Sequence, residues 1–303
     1  MKKPTPRSLA IVFVFLAAAI WGASFVNQSI ASQHMGAFTY NGVRFLLGAL
    51  SILLVVFLFE RARPDKAKLK KTWMVSVAGG VILFFAANLQ QLGIVFSDSY
   101  TPAGEAGFIT GMYIIFVPLL GIFLKQRVKP IVWVAAVLAF LGLFLITTTG
   151  GLGGITTFEV SHILLVICAV FWAVHILVID RFVNEISPIR FASYQFVVAG
   201  ALSIIVAIIF DDITWQGLSG GIWTLLFGGI VVSGVAYTLQ ILGQRSLEPT
   251  FAAIIFSLEA LFAAISEAVW MGQAMTPQRY IGGGIILLGI ILAQIKFKER
   301  RGA

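Results

Sequence analysis

Charge is what this chain has least of. Asp, Glu, Lys and Arg make up 11% of its 303 residues, where a soluble globular domain carries about 25%. So few charges beside 59% hydrophobic residues exclude a soluble globule, and a mean hydropathy of +0.98 agrees. Cysteine occurs once, as Cys168 within an apolar stretch, which excludes a disulfide framework and a Cys-based zinc site. The three histidines, His34, His162 and His175, show no metal-ligand spacing, so no metal is expected. Enzyme signatures are missing as well: there is no Gly-x4-Gly-Lys-Ser/Thr loop, no His-Glu-x-x-His and no Gly-x-Ser-x-Gly. No cofactor and no enzymatic activity are expected. A net charge of +8 would suit nucleic acid, but the basic residues sit in short loops without a patch of interleaved stacking aromatics, so nucleic acid is not an expected partner.

What the chain does have is long apolar runs. A helix needs about 20 predominantly apolar residues to cross the hydrocarbon of a bilayer. Ten segments meet that length: Ser8–Ser29, Gly36–Phe59, Thr72–Leu92, Ala103–Leu124, Pro130–Thr148, Val160–Ile179, Pro188–Phe210, Gly221–Leu242, Thr250–Trp270 and Gln278–Phe297. The first is too long for a signal-peptide core and reads as an uncleaved span. Lipid satisfies no backbone hydrogen bond, so these segments are expected to be helices. Nearly all of the 21 lysines and arginines fall on one side of such a layout. They precede span one (Lys2, Lys3, Arg7), fill the loop after span two (Arg61 to Lys71), and recur as Lys125, Arg127, Lys129, Arg181, Arg190 and Arg245 and in the tail. The opposite loops carry Asp98, Glu159, Asp211 and Asp212. Positive loops mark the cytoplasmic face, so a multi-pass protein of the cell membrane with both termini cytoplasmic is expected.

The halves on either side of the uncharged Gly/Thr-rich stretch Thr147–Phe158 repeat one another. Trp21 and Phe45 answer to Trp172 and Phe196, 151 positions on. Leu89-Gln90-Gln91-Leu92-Gly93 returns as Leu239-Gln240-Ile241-Leu242-Gly243, and Gln126, Pro130 and Gly142 return as Gln273, Pro277 and Gly289. Their shared order indicates duplication. Five spans per copy is odd, so the second copy enters the bilayer from the other side. The expected fold is all-α and integral to the membrane: ten transmembrane helices as two inverted five-helix repeats, 8–148 and 159–297, with 149–158 as a hinge. In such architectures the substrate site lies near the midplane between the repeats.

Polar residues at membrane depth are the candidates for that site. Glu259 lies nine residues into its span, roughly 13 Å deep at 1.5 Å per residue. Arg44 lies about 10–12 Å from the other end of span two. An ionisable group there costs about 2.5–3.5 kcal/mol on insertion scales and needs a partner or a wet cavity. Arg44 has the alternative of snorkelling to the interface. Trp21, Ser24 and Gln28 share one helical face, as do Tyr237 and Gln240. Asn88, Gln90, Thr110, Tyr113 and Trp172 join them at depth. His175, one turn beyond Trp172, reads first as a packing histidine and second as a pathway residue. Glu105 and Glu267 stand near span ends, where solvation accounts for them. Pro118, inside span four, is expected to bend its helix beside a cavity. Amides and aromatics with few fixed charges suit a small neutral or zwitterionic organic molecule.

These features resemble the drug/metabolite transporter superfamily, specifically its ten-span members with two EamA-type repeats. The resemblance rests on Trp21-Gly22-Ala23-Ser24-Phe25, Pro118, Ser257-Leu258-Glu259 and the region of Gly289. It implies inverted repeats around a central cavity lined by spans one, three, four, six, eight and nine. It also implies export or exchange of a small metabolite, amino-acid-like or drug-like; with no ATP-binding motif, a gradient is the expected source of energy. Ala260 stands where that family commonly has proline after the glutamate. On this reading Glu259 is the candidate proton-coupling or gating residue, with Arg44 and Pro118 beside it. The alternatives are an intramembrane enzyme on lipid-like substrates, for which clustered carboxylates or histidines are missing, and a passive channel or uniporter of the same fold.

Overall fold

The computed structural model of the chain describes residues 6–59, 65–97, 102–126, 128–147, 160–271 and 276–294. All the regular elements among them are helical: α1 (Arg7–Ala31), α2 (Ala37–Phe59), α3 (Lys66–Val95), α4 (Pro102–Gly111), α5 (Tyr113–Phe123), α6 (Pro130–Thr147), α7 (Val160–Phe182), α8 (Pro188–Phe210), α9 (Trp215–Gly220), α10 (Ile222–Leu226), a π-helical segment (Phe227–Ala236), α11 (Tyr237–Gln244), α12 (Pro249–Phe256), α13 (Glu259–Met271) and α14 (Pro277–Gln294). Eight helical stretches among the described residues are long and apolar enough to cross a membrane. The fifth and tenth expected spans appear as shorter apolar helices, Pro130–Leu145 and Tyr280–Ala293. Their expected ends at Thr148 and Phe297, and the 149–158 hinge, lie outside the described residues.

Three of the long stretches are interrupted. The fourth breaks at Met112, whose N–H reaches back only three residues, to the Ile109 carbonyl at 3.1 Å. The ninth breaks at Ser257-Leu258, where the Leu258 N–H bonds Ile255 O at 3.1 Å. Both stretches open on a proline, Pro102 and Pro249, 147 positions apart. Pro118 lies within α5. Its ring crowds the carbonyl four residues back, and the chain yields just upstream of that carbonyl, at Met112. The eighth stretch widens into the π-segment, where Ser233 Oγ donates to Gly228 O at 2.8 Å.

Packing pairs the two halves reciprocally. Helix α3 packs on α7 and α8, while α11 packs on α1 and the π-segment packs on α2; α2 meets α8 and α6 meets α14. Residues matched by sequence meet in space: Phe45 stacks on Phe196 with centroids 5.4 Å apart, and Trp21 lies 6.5 Å from Trp172. The close approaches match too. A Cβ on Gly80 would stand 2.7 Å from the Gln195 carbonyl, and one on Gly229 would stand 3.1 Å from the Arg44 carbonyl; Arg44 and Gln195 are themselves 151 apart. Small residues here let backbones touch where lipid gives helices no hydrophobic reason to associate.

The two ends of the bundle differ. At one, Asp211 Oδ2 accepts from Thr39 N at 2.6 Å and Thr39 Oγ1 at 2.8 Å, tying α8 to the start of α2. Glu267 also lies toward this end and corrects an expectation: it is 2% exposed instead of solvated. Its Oε1 accepts from Gly104 N at 3.0 Å, in the first turn of α4, where helix N–H groups are otherwise orphaned. The side chain of Glu105 lies outside the described residues. His34 is exposed there and His162 is buried.

At the basic end, Glu185 pairs with Lys71 and with Arg181, the latter at 2.9 Å. The Lys71 ammonium, then the Arg181 guanidinium, hold the Glu185 carboxyl below its ordinary 4.5. A depressed carboxyl stabilises the fold above its unfolded titration point, and that contribution disappears as pH falls through the folded one. Glu185→Gln should therefore lower the melting temperature slightly at pH 7. The wild type and variant should converge as pH falls through the lowered titration of Glu185, below the ordinary glutamate range, which parallel melting curves would check.

Candidate functional site

The breaks in the fourth and ninth stretches face one another, and the first residue after each is polar: Tyr113 opens α5 and Glu259 opens α13. The Tyr113 hydroxyl looks at the Glu259 carboxyl but stops short of hydrogen-bond geometry. Beside them lies a narrow cavity of about 30 Å³. Trp21, Ser24, Phe25 and Gln28 of α1, Arg44 of α2, Gln90 of α3 and Thr110 of α4 line it together with Tyr113. From the second half come Trp172, Ile176, Val232, Tyr237, Gln240, Phe256 and Glu259.

One wall is aromatic. Trp21 meets Tyr237 edge-on at 5.0 Å and Phe256 at 5.1 Å, and Trp172 lies 6.1 Å from Tyr237. The polar groups of this cavity are unusual in what they leave unmade. Buried and without a hydrogen-bond partner are Trp21 Nε1, Gln28 Oε1, Tyr113 OH, Trp172 Nε1, Gln240 Oε1 and Glu259 Oε1. Native proteins satisfy most buried polar atoms, because each one left unmade costs about 1–3 kcal/mol. Six of them on one cavity are what a site shaped for a polar ligand or for water looks like.

Arg44 does not snorkel. It is 2% exposed, with Nε bonded to Asn41 Oδ1 at 2.7 Å and the guanidinium 4.5 Å from the Phe45 ring and 5.2 Å from the Tyr40 ring. Asn41 passes the network on to Asn88 Oδ1 at 3.1 Å, and Asn88 Nδ2 donates to Ser203 Oγ at 2.9 Å. The Asn41 bond and the two rings hold the long side chain inward.

Of the residues expected from sequence, Trp21, Ser24, Gln28, Gln90, Tyr113, Trp172, Tyr237, Gln240, Glu259 and Arg44 converge on the cavity. Asn88 stands one layer behind, in the Arg44 network. His175 does too, bonded through Nε2 to Gln195 Oε1 at 2.9 Å and edge-on to Trp172 at 5.9 Å. Pro118 is buried in α5 away from the lining. The apolar lining of Phe25, Ile176, Val232 and Phe256 carried no signal, since an apolar side chain in a span reads alike toward lipid and toward a cavity.

At the basic end, the ends of α5, α7, α11 and α12 frame a second, open hollow of about 490 Å³, with Gln126, Lys129, Asp180, Arg245 and Glu248 in its wall. Lys125 takes a left-handed φ of 59° after α5. That turn brings Gln126 Nε2 to Asp180 Oδ2 at 3.2 Å. The hollow is a polar vestibule built from helices that also reach the central cavity.

Comparison with known proteins places this architecture. The model of the EamA-like transporter family matches residues 8–148 and 160–294. An uncharacterized transporter of Archaeoglobus fulgidus is 29% identical over 296 residues, covering 96% of this chain and 87% of the relative. The threonine/homoserine exporter RhtA of Escherichia coli (strain K12) is 24% identical over 298 residues, 94% of this chain and 90% of its own. A crystal structure at 18% identity superposes with a TM-score of 0.77 over 95% of this chain and 97% of that one, a likeness of fold.

Proposed function

Because this chain belongs to the EamA-like transporter family, we propose that it is a secondary transporter of the cell membrane that exports or exchanges a small organic metabolite by alternating access. In this reading ten spans form two inverted five-helix repeats, 8–148 and 159–297, hinged at 149–158, with both termini cytoplasmic. The observation that carries it is the central cavity: both halves line it, both broken stretches flank it, and buried polar atoms face it without partners. Discontinuous helices at a repeat interface are the usual setting of transporter sites. The reciprocal packing, and the meeting of Phe45 with Phe196 and Trp21 with Trp172, support a two-fold relation between the halves. The lysines and arginines at the vestibule end support its assignment to the cytoplasm. Glu259 is the proton-coupling or gating residue of this scheme.

Solute class follows from the lining. Aromatic faces with amides and one charge of each sign suit an amino-acid-like solute. The solutes named for the Escherichia coli relative, threonine and homoserine, are the first probes within a panel of labelled metabolites. Counterflow in proteoliposomes is the test: internal unlabelled solute should accelerate uptake of the label several-fold. Uptake indifferent to internal solute would instead indicate a channel, and no flux of any panel member would refute transport altogether.

A further inference from the structure

At about 30 Å³ the central cavity holds about two waters, so an organic solute reaches it only when a wall opens. Two walls are built alike. Toward the vestibule, Gln244 Nε2 of α11 donates to the Ile176 carbonyl of α7 at 3.1 Å. Ile176 lines the cavity and Gln244 lines the vestibule. Gln240, one turn earlier on α11, is back in the cavity wall, so the partition is a single turn, about 5.4 Å. On the far side, Gln91 Nε2 of α3 donates at 3.0 Å to the carbonyl of Gln28, the last cavity residue of α1. Both seams are thin, because α3 packs chiefly on α7 and α8 while α1 packs chiefly on α13 and α11. Each glutamine thus reaches between the α3/α7 group and the α1/α11 group. Both side chains are buried, at 0% and 2% exposure for Gln91 and Gln244, and both leave Oε1 without a partner. Both acceptor carbonyls already serve their own helices. Gln28 O takes Ser32 N at 3.1 Å, and Ile176 O takes the N–H four residues on in α7. Releasing either amide unmakes no backbone bond, and it wets an oxygen that closure strands. A bond worth about threefold to tenfold in population closes each wall without locking it.

We propose that Gln91 and Gln244 are the two gate latches of the carrier: Gln244 closes the cavity toward the vestibule between α7 and α11, Gln91 closes the far side between α1 and α3, and solute passes when one releases while the other holds. This rests on the transporter reading and adds to it the two seams that open. With both bonds made, the molecule is in its occluded form, as the small cavity requires. The latches occupy corresponding helices but not corresponding positions. When Leu89–Gly93 is laid on Leu239–Gly243, Gln91 falls on Ile241 and Gln244 falls on Ile94. Each side therefore has its own latch and can be altered without touching the other. The Gln126–Asp180 bond at 3.2 Å joins the end of α5 to α7, within one group, and stays made while the α7/α11 seam parts.

The test places one cysteine in the cavity wall, Val232→Cys, in the full-length chain with Cys168→Ala. Its reaction with trimethylammonium-ethyl methanethiosulfonate, a small reagent that does not cross membranes, is timed from each face of membrane vesicles. With both glutamines present, labelling should be slow from either face. Gln244→Met keeps the length of the side chain and removes the amide, and should speed labelling about threefold to tenfold from the vestibule face alone. Gln91→Met should do the same from the opposite face alone. Gln→Glu at each position, which keeps the shape but lacks the donor, serves as a second variant, and melting in detergent identifies those that fold. Loosened packing would admit the reagent from both faces. Equal acceleration from the two faces, acceleration from the wrong face, or a change below about twofold in the folded variants overturns the proposal. Counterflow in the same vesicles separates this from the reading beneath it. Counterflow with labelling that shows no sidedness removes the latches and leaves the carrier. Sided labelling without exchange of any panel member leaves the latches and removes the carrier.

Discussion

Glu259→Gln is expected to abolish the response of transport to an imposed pH gradient while sparing solute exchange. Glutamine keeps the shape of the side chain and an acceptor oxygen, so exchange should persist at saturating solute, with weaker binding where the carboxylate itself meets the solute. It cannot bind or release a proton, however, and no other acidic residue lines the cavity. Glu259 sits where α13 begins, against the gap left at Ser257-Leu258. The carboxyl therefore stands at the first residue of a helix set off from α12 by that break. In proteoliposomes, gradient-driven accumulation should fall to the level of empty vesicles in the variant, with counterflow retained. Accumulation that still follows the pH gradient would remove Glu259 from the coupling scheme. Loss of counterflow together with coupling would make it a solute contact alone.

Gly22→Leu is expected to be the most damaging single substitution in the first span. A Cβ on Gly22 would lie 2.6 Å from the Glu259 carbonyl and 2.8 Å from Ala263 N. These are backbone atoms, and they cannot rotate aside. Even Gly22→Ala must push α1 off α13 by several tenths of an ångström, and overpacking of this kind costs about 1–3 kcal/mol. Leucine adds three more carbons to the same contact. Both variants should melt lower in detergent, and both should lose transport, because the displaced backbone is the one that carries Glu259. Gly284 supplies the control: a Cβ there meets nothing within 4 Å. Gly284→Ala should melt no lower than wild type and could gain up to about 1 kcal/mol from helix propensity. Were Gly22→Ala as mild as Gly284→Ala, the contact between α1 and α13 would be looser than described.

Much of this is legible in the sequence. Helices follow from apolar length and from the inability of lipid to satisfy a backbone. The polar lining on α1 follows from the spacing of Trp21, Ser24 and Gln28, because a stripe of polar groups has to turn away from lipid. Hydropathy does not say which inward face looks into a hollow and which into a neighbouring helix. Asn88 and His175 were for that reason indistinguishable from Gln90 and Trp172, although the first two serve the packing behind the cavity. The helix breaks were also hidden. Proline was the visible candidate, and the helical hydrogen bonding shortens at Met112, upstream of Pro118, and at Ser257-Leu258. The break at Met112 lies just upstream of the carbonyl that the Pro118 ring crowds, whereas no proline follows Ser257 within its span.

On the proposed two-fold relation between the halves, a scaffold whose parts interchange under rotation would sit with equal ease facing either side of the bilayer, like a balance with empty pans. What tips it are the positions where the copies disagree. In the cavity wall Arg44 answers to Gln195, Ser24 to His175 and Gln28 to Ile179, and with the opening prolines superimposed Glu259 has Met112. The preferred resting orientation of the molecule, and its bias toward loading from one compartment, would then be written in such mismatches and whatever occupies the space beside them.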